Sequence, residues 1–145
     1  MGDVRTGFSF VELVVALVVV GLVAAFGLPR LRTTLDRIAV DAAAVDITTA
    51  VAVTRAEAVM RATRARLVIS ADTLGIDIDG PAGWEPFARW PGPRDRGVEL
   101  AVSNPELVFA PTGIGWGASN TTVVLRRSDQ VEKVTMSRTG RVKRW

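Results

Sequence analysis

The sequence predicts an α+β fold: one long N-terminal helix, its first half an anchor and its second half amphipathic, packed on a C-terminal antiparallel β domain. Three observations predict it. From Phe8 to Leu28 the chain is mostly apolar and only Glu12 is charged. Apolar residues then recur at spacings of three and four as far as Val59, the period of one helix face. Beyond Ala65 the period becomes two, in short runs separated by turn residues.

The apolar run is 21 residues long. As a helix it reaches about 31 Å, enough to cross the hydrocarbon core of a bilayer. A carboxylate inside such a segment is costly. The residues alone leave two alternatives: a plain anchor with Glu12 near the interface, or a functional acid with a partner. Gly21, Gly27 and Pro29 weaken the helix within nine residues, Pro29 by about 3 kcal/mol in an interior position. They predict a deformable joint, the alternative being a kink tolerated by lipid or a neighbouring helix. Residues 1–7 hold one acid, one base and no apolar stretch. An ordinary secretory signal places its cleavage site after the apolar region. No small-x-small site follows Leu28, so the segment is expected to stay on the protein. Arg30, Arg32 and Arg37 follow the run. Taken alone, the positive-inside rule would put residues from 30 onward in the cytoplasm.

In the amphipathic half, residues 30–64, the predicted core stripe is Leu31, Leu35, Ile38, Ala42, Val45, Thr49, Ala52, Ala56 and Val59. The opposite face carries Arg32, Asp36, Arg37, Asp41, Asp46, Arg55, Glu57, Arg61 and Arg64. Residues 65–145 form the expected β domain, with strands at 65–70, 74–79, 98–102, 107–110, 121–127, 131–137 and 141–145. Thr139-Gly140 joins the last two as a hairpin-like turn. No second helical period interrupts them, which argues against βαβ winding. Residues 80–97 hold four Pro and four Gly around Trp84, Phe87 and Trp90, and predict an irregular loop whose aromatics either anchor it to the sheet or face a neighbouring subunit. Asp72, Asp77 and Asp79 are of a type that suits calcium. Alternation with Ile76 and Ile78 assigns Asp77 and Asp79 to a solvated sheet face instead. Gly113-Ile114-Gly115-Trp116-Gly117 lacks the frame of a nucleotide loop and reads as a glycine turn.

Composition narrows function. The chain has neither Cys nor His. There is no disulfide framework, no thiolate metal site, no usual general base and no imidazole ligand. A non-enzymatic protein without cofactor or metal is expected. Net charge is +3. Residues 121–145 concentrate it, with seven Lys or Arg against two acids.

The Gly7-Phe8 junction, with Glu12 fifth in the run from Phe8, resembles the processing site of type IV pilins and the pseudopilins of type II secretion. The resemblance implies a prepilin leader at 1–7, cut by prepilin peptidase between Gly7 and Phe8, with methylation of the new Phe8 amine. It implies that residues 8–29 are a transmembrane and filament-core helix. Glu12 would pair with a terminal amine in the filament, which removes the penalty of an unpaired charge. Pro29 matches the family's proline. The processing motif places the globular domain outside the cytoplasm and overrules the arginine count.

Thr54-Arg55-Ala56-Glu57-Ala58-Val59 followed by Leu67-Val68-Ile69, Phe109-Ala110-Pro111-Thr112-Gly113 and Gly140-Arg141-Val142 resemble the GspH/FimT family. The likeness covers most of the chain, with residues 80–105 matching poorly. It implies a pilin-like fold and a minor pilin or pseudopilin at or near the tip of a type IV pilus or secretion pseudopilus. The implied partners are other pilins, and the implied location is the bacterial inner membrane, then a periplasmic or extracellular filament. FimT-like minor pilins of transformable bacteria bind DNA through a Gly-Arg-x-Arg tail. Here Gly140-Arg141-Val142-Lys143 precedes Arg144, so Lys stands in for the second Arg and loses its bidentate geometry. Arg138, Arg141, Lys143 and Arg144 are the candidate DNA contacts. The alternative is a solvated edge strand guarded by its charges.

Overall fold

The computed structural model describes residues 9–145 and, of residues 26–29, the backbone alone. A helix, α1 (Phe10–Met60), precedes nine strands. Contacts divide the chain into two units, residues 1–35 and 36–145. In the first unit every described side chain from Phe10 to Leu35 is exposed. The helical backbone passes through Gly21, Gly27 and Pro29.

The second unit holds the core. Its strands are β1 (Ala65–Ile69), β2 (Thr73–Gly80), β3 (Gly83–Pro91), β4 (Glu99–Val102), β5 (Glu106–Phe109), β6 (Gly115–Trp116), β7 (Thr121–Arg127), β8 (Gln130–Met136) and β9 (Val142–Arg144). They form two antiparallel sheets, ordered β3-β2-β1-β5-β6 and β4-β7-β8-β9. Leu67, Ile76 and Leu107 from the first, and Val123, Leu125 and Val134 from the second, meet the helix in one cluster. The α+β expectation holds.

The helix face does not match. Val40, Ala43, Ala44, Ile47, Ala50, Val51, Thr54 and Ala58 are buried. Ile38, Val45 and Val59 of the expected stripe are 58%, 42% and 50% exposed. Thr49, Ala52 and Ala56 are exposed as well. The buried set keeps the same spacing but lies two positions further on, about 200° around the helix. Both faces are built from Ala and aliphatic residues, so periodicity alone fits either. Charge separates them. Asp36 and Asp46 are half-buried and Asp41 is exposed, and all three reach arginines of the β domain. Asp36 Oδ1 meets Arg127 Nε at 2.7 Å and Asp46 Oδ2 meets Arg96 Nη2 at 2.7 Å. Asp41 pairs with Arg144. The buried polar member is Thr54 rather than Thr49, and its hydroxyl donates to Ala50 O at 2.7 Å.

The helix stops at Met60 instead of running to 64. Ala62 takes a left-handed conformation at φ 51°. Its N–H donates to Val59 O, and that of Thr63 donates to Ala58 O, both at 3.2 Å. This pair of bonds is a Schellman cap, with Ala at the position where Gly is usual.

Residues 80–97 also depart from expectation. They hold β3 and a short 3-10 helix, Pro93–Arg96, rather than a loop. Pro86 is tolerated because β3 is an edge strand, where a missing N–H breaks no ladder bond on its open side. The aromatics do anchor it. Trp90 packs on the core, Arg61 stacks on Phe87 at 4.8 Å, and Arg66 stacks on Trp84 at 4.6 Å. Gly92 is required at the end of β3, because a Cβ there would fall 2.4 Å from the Ala71 carbonyl oxygen. In the glycine turn, Gly115 and Trp116 pair with β5 as a strand.

Candidate functional site

Glu12 is exposed, and no cation pairs with it among the described residues. The described run Phe10–Ala25 around it is exposed throughout. By length and composition the helix that holds it, Phe10–Met60, is long and apolar enough to cross a membrane. Gly7 and Phe8 lie outside the described residues, as does the leader, and the side chain of Pro29 is likewise not described.

The aspartates have protein partners. Asp77 is 4% exposed, not solvated as expected. Its Oδ2 accepts from Arg66 Nη2 at 2.8 Å, and Oδ1 pairs with Arg89. Burial pushes the carboxyl up from 3.8, but hydrogen bonds and charge from Arg66 and Arg89 outweigh it, and its pKa is lowered. Asp79 meets Arg64 and Asp72 meets Arg94, each at 2.7 Å. Among the described residues no three carboxylates converge as a metal cage.

The basic tail does not act as one patch. Arg144 is exposed but held by Glu132 and Asp41, and these carboxylates raise its pKa. Arg138 and Arg141 are exposed without an ion pair among the described residues. The Lys143 ammonium sits over the Trp145 ring, 3.3 Å from its centroid. Trp145 extends β9, exchanging backbone hydrogen bonds with Lys133 at 3.0 and 3.3 Å.

Register then assembles a cluster that the tail motif did not suggest. Leu125 and Val134 face the core, so Arg126 and Lys133 face out, and Lys143, opposite Thr135, joins them. The outer face of the four-stranded sheet therefore carries Arg126, Lys133, Lys143 and Trp145. The signal in the sequence was alternation within β7 and β8 rather than the terminal motif. Neither arrangement is a nucleophile–base constellation.

A family model described as "Type II transport protein GspH" matches residues 43–140. Among curated proteins, none matches this sequence. Among solved structures, the type IV minor pilin FimU of Pseudomonas aeruginosa is similar at 16% identity and TM-score 0.61, covering 72% of this chain and 86% of its own. The minor pseudopilin EpsH of the Vibrio cholerae type 2 secretion system is similar at 14% identity and TM-score 0.60, covering 73% of this chain and 95% of its own. At such identities the two structures speak to the fold alone, which is that of a minor pilin or pseudopilin. The family model spans well over half of the sequence, and this chain belongs to the GspH family of type II transport proteins.

Proposed function

We propose that the protein is a non-enzymatic minor subunit of a pilus or secretion pseudopilus, anchored in the inner membrane before assembly and placed at or near the filament tip. One observation carries the reading. From Phe10 to Ala25 the helix shows apolar side chains on all sides with one acid among them. A helix of that kind needs lipid or other helices around it. The exposed stripe Ile38, Val45 and Val59 supports packing against neighbours in the second unit as well. Glu12 supplies the charge that a neighbour's terminal amine would neutralise.

Processing tests this reading. Intact mass of membrane-extracted protein, from cells with active prepilin peptidase, is expected to begin at Phe8 with one added methyl group. Gly7→Ala is expected to retain residues 1–7. Wild-type protein that keeps residues 1–7 would refute it.

A second reading is a DNA-binding minor pilin for DNA uptake. The outer-face cluster favours it, because cations beside an exposed aromatic ring suit phosphate and base together. On this reading Arg126, Lys133 and Lys143 replace Arg144 as contacts, beside Arg138 and Arg141. Changing Arg126, Lys133 and Lys143 to Gln is expected to flatten the salt dependence of DNA affinity by about three units, and Arg144→Gln to leave it unchanged. Fluorescence anisotropy with full-length protein in detergent measures both. Absence of binding at low salt removes this reading.

A further inference from the structure

We propose that the open edge of β9 and the apolar trough beside it form a docking site for an extended segment of another protein, one that alternates apolar and acidic residues. The segment would join the four-stranded sheet as a fifth strand. This goes beyond the filament reading and does not depend on it.

The trough is an open groove of about 480 Å3 between α1 and β9. Val51, Ala52, Ala56 and Val59 form its helix side, and Gly140 and Val142 its strand side. The sheet ends at β9, and the helix surface past that edge is apolar and bare. Covering it takes an element laid alongside β9.

Backbone geometry points the same way. Trp145 exchanges both hydrogen bonds with Lys133, and Arg141 O accepts from Ser137 N–H at 3.0 Å. In an antiparallel pair such residues alternate. Arg141, Lys143 and Trp145 therefore face β8, while the N–H and C=O of Val142 and Arg144 point to the open edge. An added strand pairs with these groups and sends every second side chain into the trough.

Charge selects the partner. Arg55 lines the trough, and a Cβ on Gly140 would lie 3.1 Å from its guanidinium. Arg55, Arg138 and Arg141 have no ion pair among the described residues, and Asp41 and Glu132 are taken by Arg144. An added strand that sends its apolar side chains into the trough turns the alternate ones to the outer face, where β9 carries Lys143, so carboxylates between the apolar residues match it. Charges on an edge strand ordinarily serve to deter pairing. Here they deter one partner above all: two copies joined at β9 would set Arg141, Lys143 and Arg144 against their equals.

The test uses full-length protein in detergent and fluorescein-labelled octapeptides, read by anisotropy. A peptide alternating Val and Glu is expected to bind saturably. One alternating Val and Lys, and a Val–Glu peptide with alternate backbone N-methylation, are expected not to bind. Val142→Pro removes one open-edge N–H and no bond to β8; with a melting temperature near wild type as the check on the core packing of residue 142, affinity is expected to fall at least about tenfold. Ala56→Glu, at an exposed position, is expected to weaken binding similarly by placing an acid on the trough floor. No binding of the Val–Glu peptide to wild type would overturn the proposal. So would unchanged binding to Val142→Pro, since an occupant that ignores the strand edge rests on the helix alone.

Discussion

At the residue scale, acids set against arginines do most of the polar work. Asp77 is the most buried of them, with Arg66 and Arg89 on its two oxygens. Its pKa is lowered in the fold, so the native state holds its proton less readily than the unfolded chain does. The stability it supplies is therefore present above its unfolded pKa, near 3.8. That stability drains away as pH falls through the lower folded value. Asp77→Asn keeps the shape but removes the charge, at a cost of about 2 kcal/mol above pH 5, where charged hydrogen bonds are lost. The difference from wild type should shrink steadily below pH 4. Thermal melts across that range measure it, and a gap independent of pH would show that Asp77 contributes packing alone.

At the element scale, α1 shows why patterning can leave the face of a helix undecided. The residues between Ile38 and Val59 offer two stripes at the same spacing, two positions apart, and hydropathy ranks them alike. The deciding contacts are long-range: Asp36 to Arg127 and Asp46 to Arg96, pairs that no local window joins. The consequence is measurable. Ile47 is fully buried, and Ile47→Ala is expected to cost about 2–5 kcal/mol. Val45→Asp, on the exposed side, is expected to stay within about 0.5 kcal/mol of wild type. Equal losses in denaturant titrations would mean that both faces are covered.

Other elements were legible in proportion to how local their signals are. β1, β7 and β8 follow alternation, and all three and β2 lie within a few residues of the expected bounds, although Leu74 to Ile78 of β2 is buried on both faces. β3 did not, because Pro and Gly mark a loop unless the strand is known to lie at an edge. The basic character of the tail is plain in the sequence, but the ion pairs of Arg144 are not, because its partners, Asp41 and Glu132, lie 103 and 12 residues away along the chain.

At the scale of the whole molecule, the chain carries an apolar helical segment with one acid in it, and a β domain whose own helix keeps an exposed apolar stripe. Neither surface suits a protein that works alone in water. Glu12 is the residue on which the filament reading turns. The resemblance that names its role rests on Gly7 and Phe8, ahead of the described helix. The decisive measurement is photo-crosslinking in cells from Val18, an exposed position on the apolar helix, with and without Glu12→Ala. An adduct between this chain and a second pilin-type subunit is expected, lost or strongly reduced in Glu12→Ala while membrane insertion persists. Adducts confined to lipid, or a subunit adduct undiminished by Glu12→Ala, would contradict it.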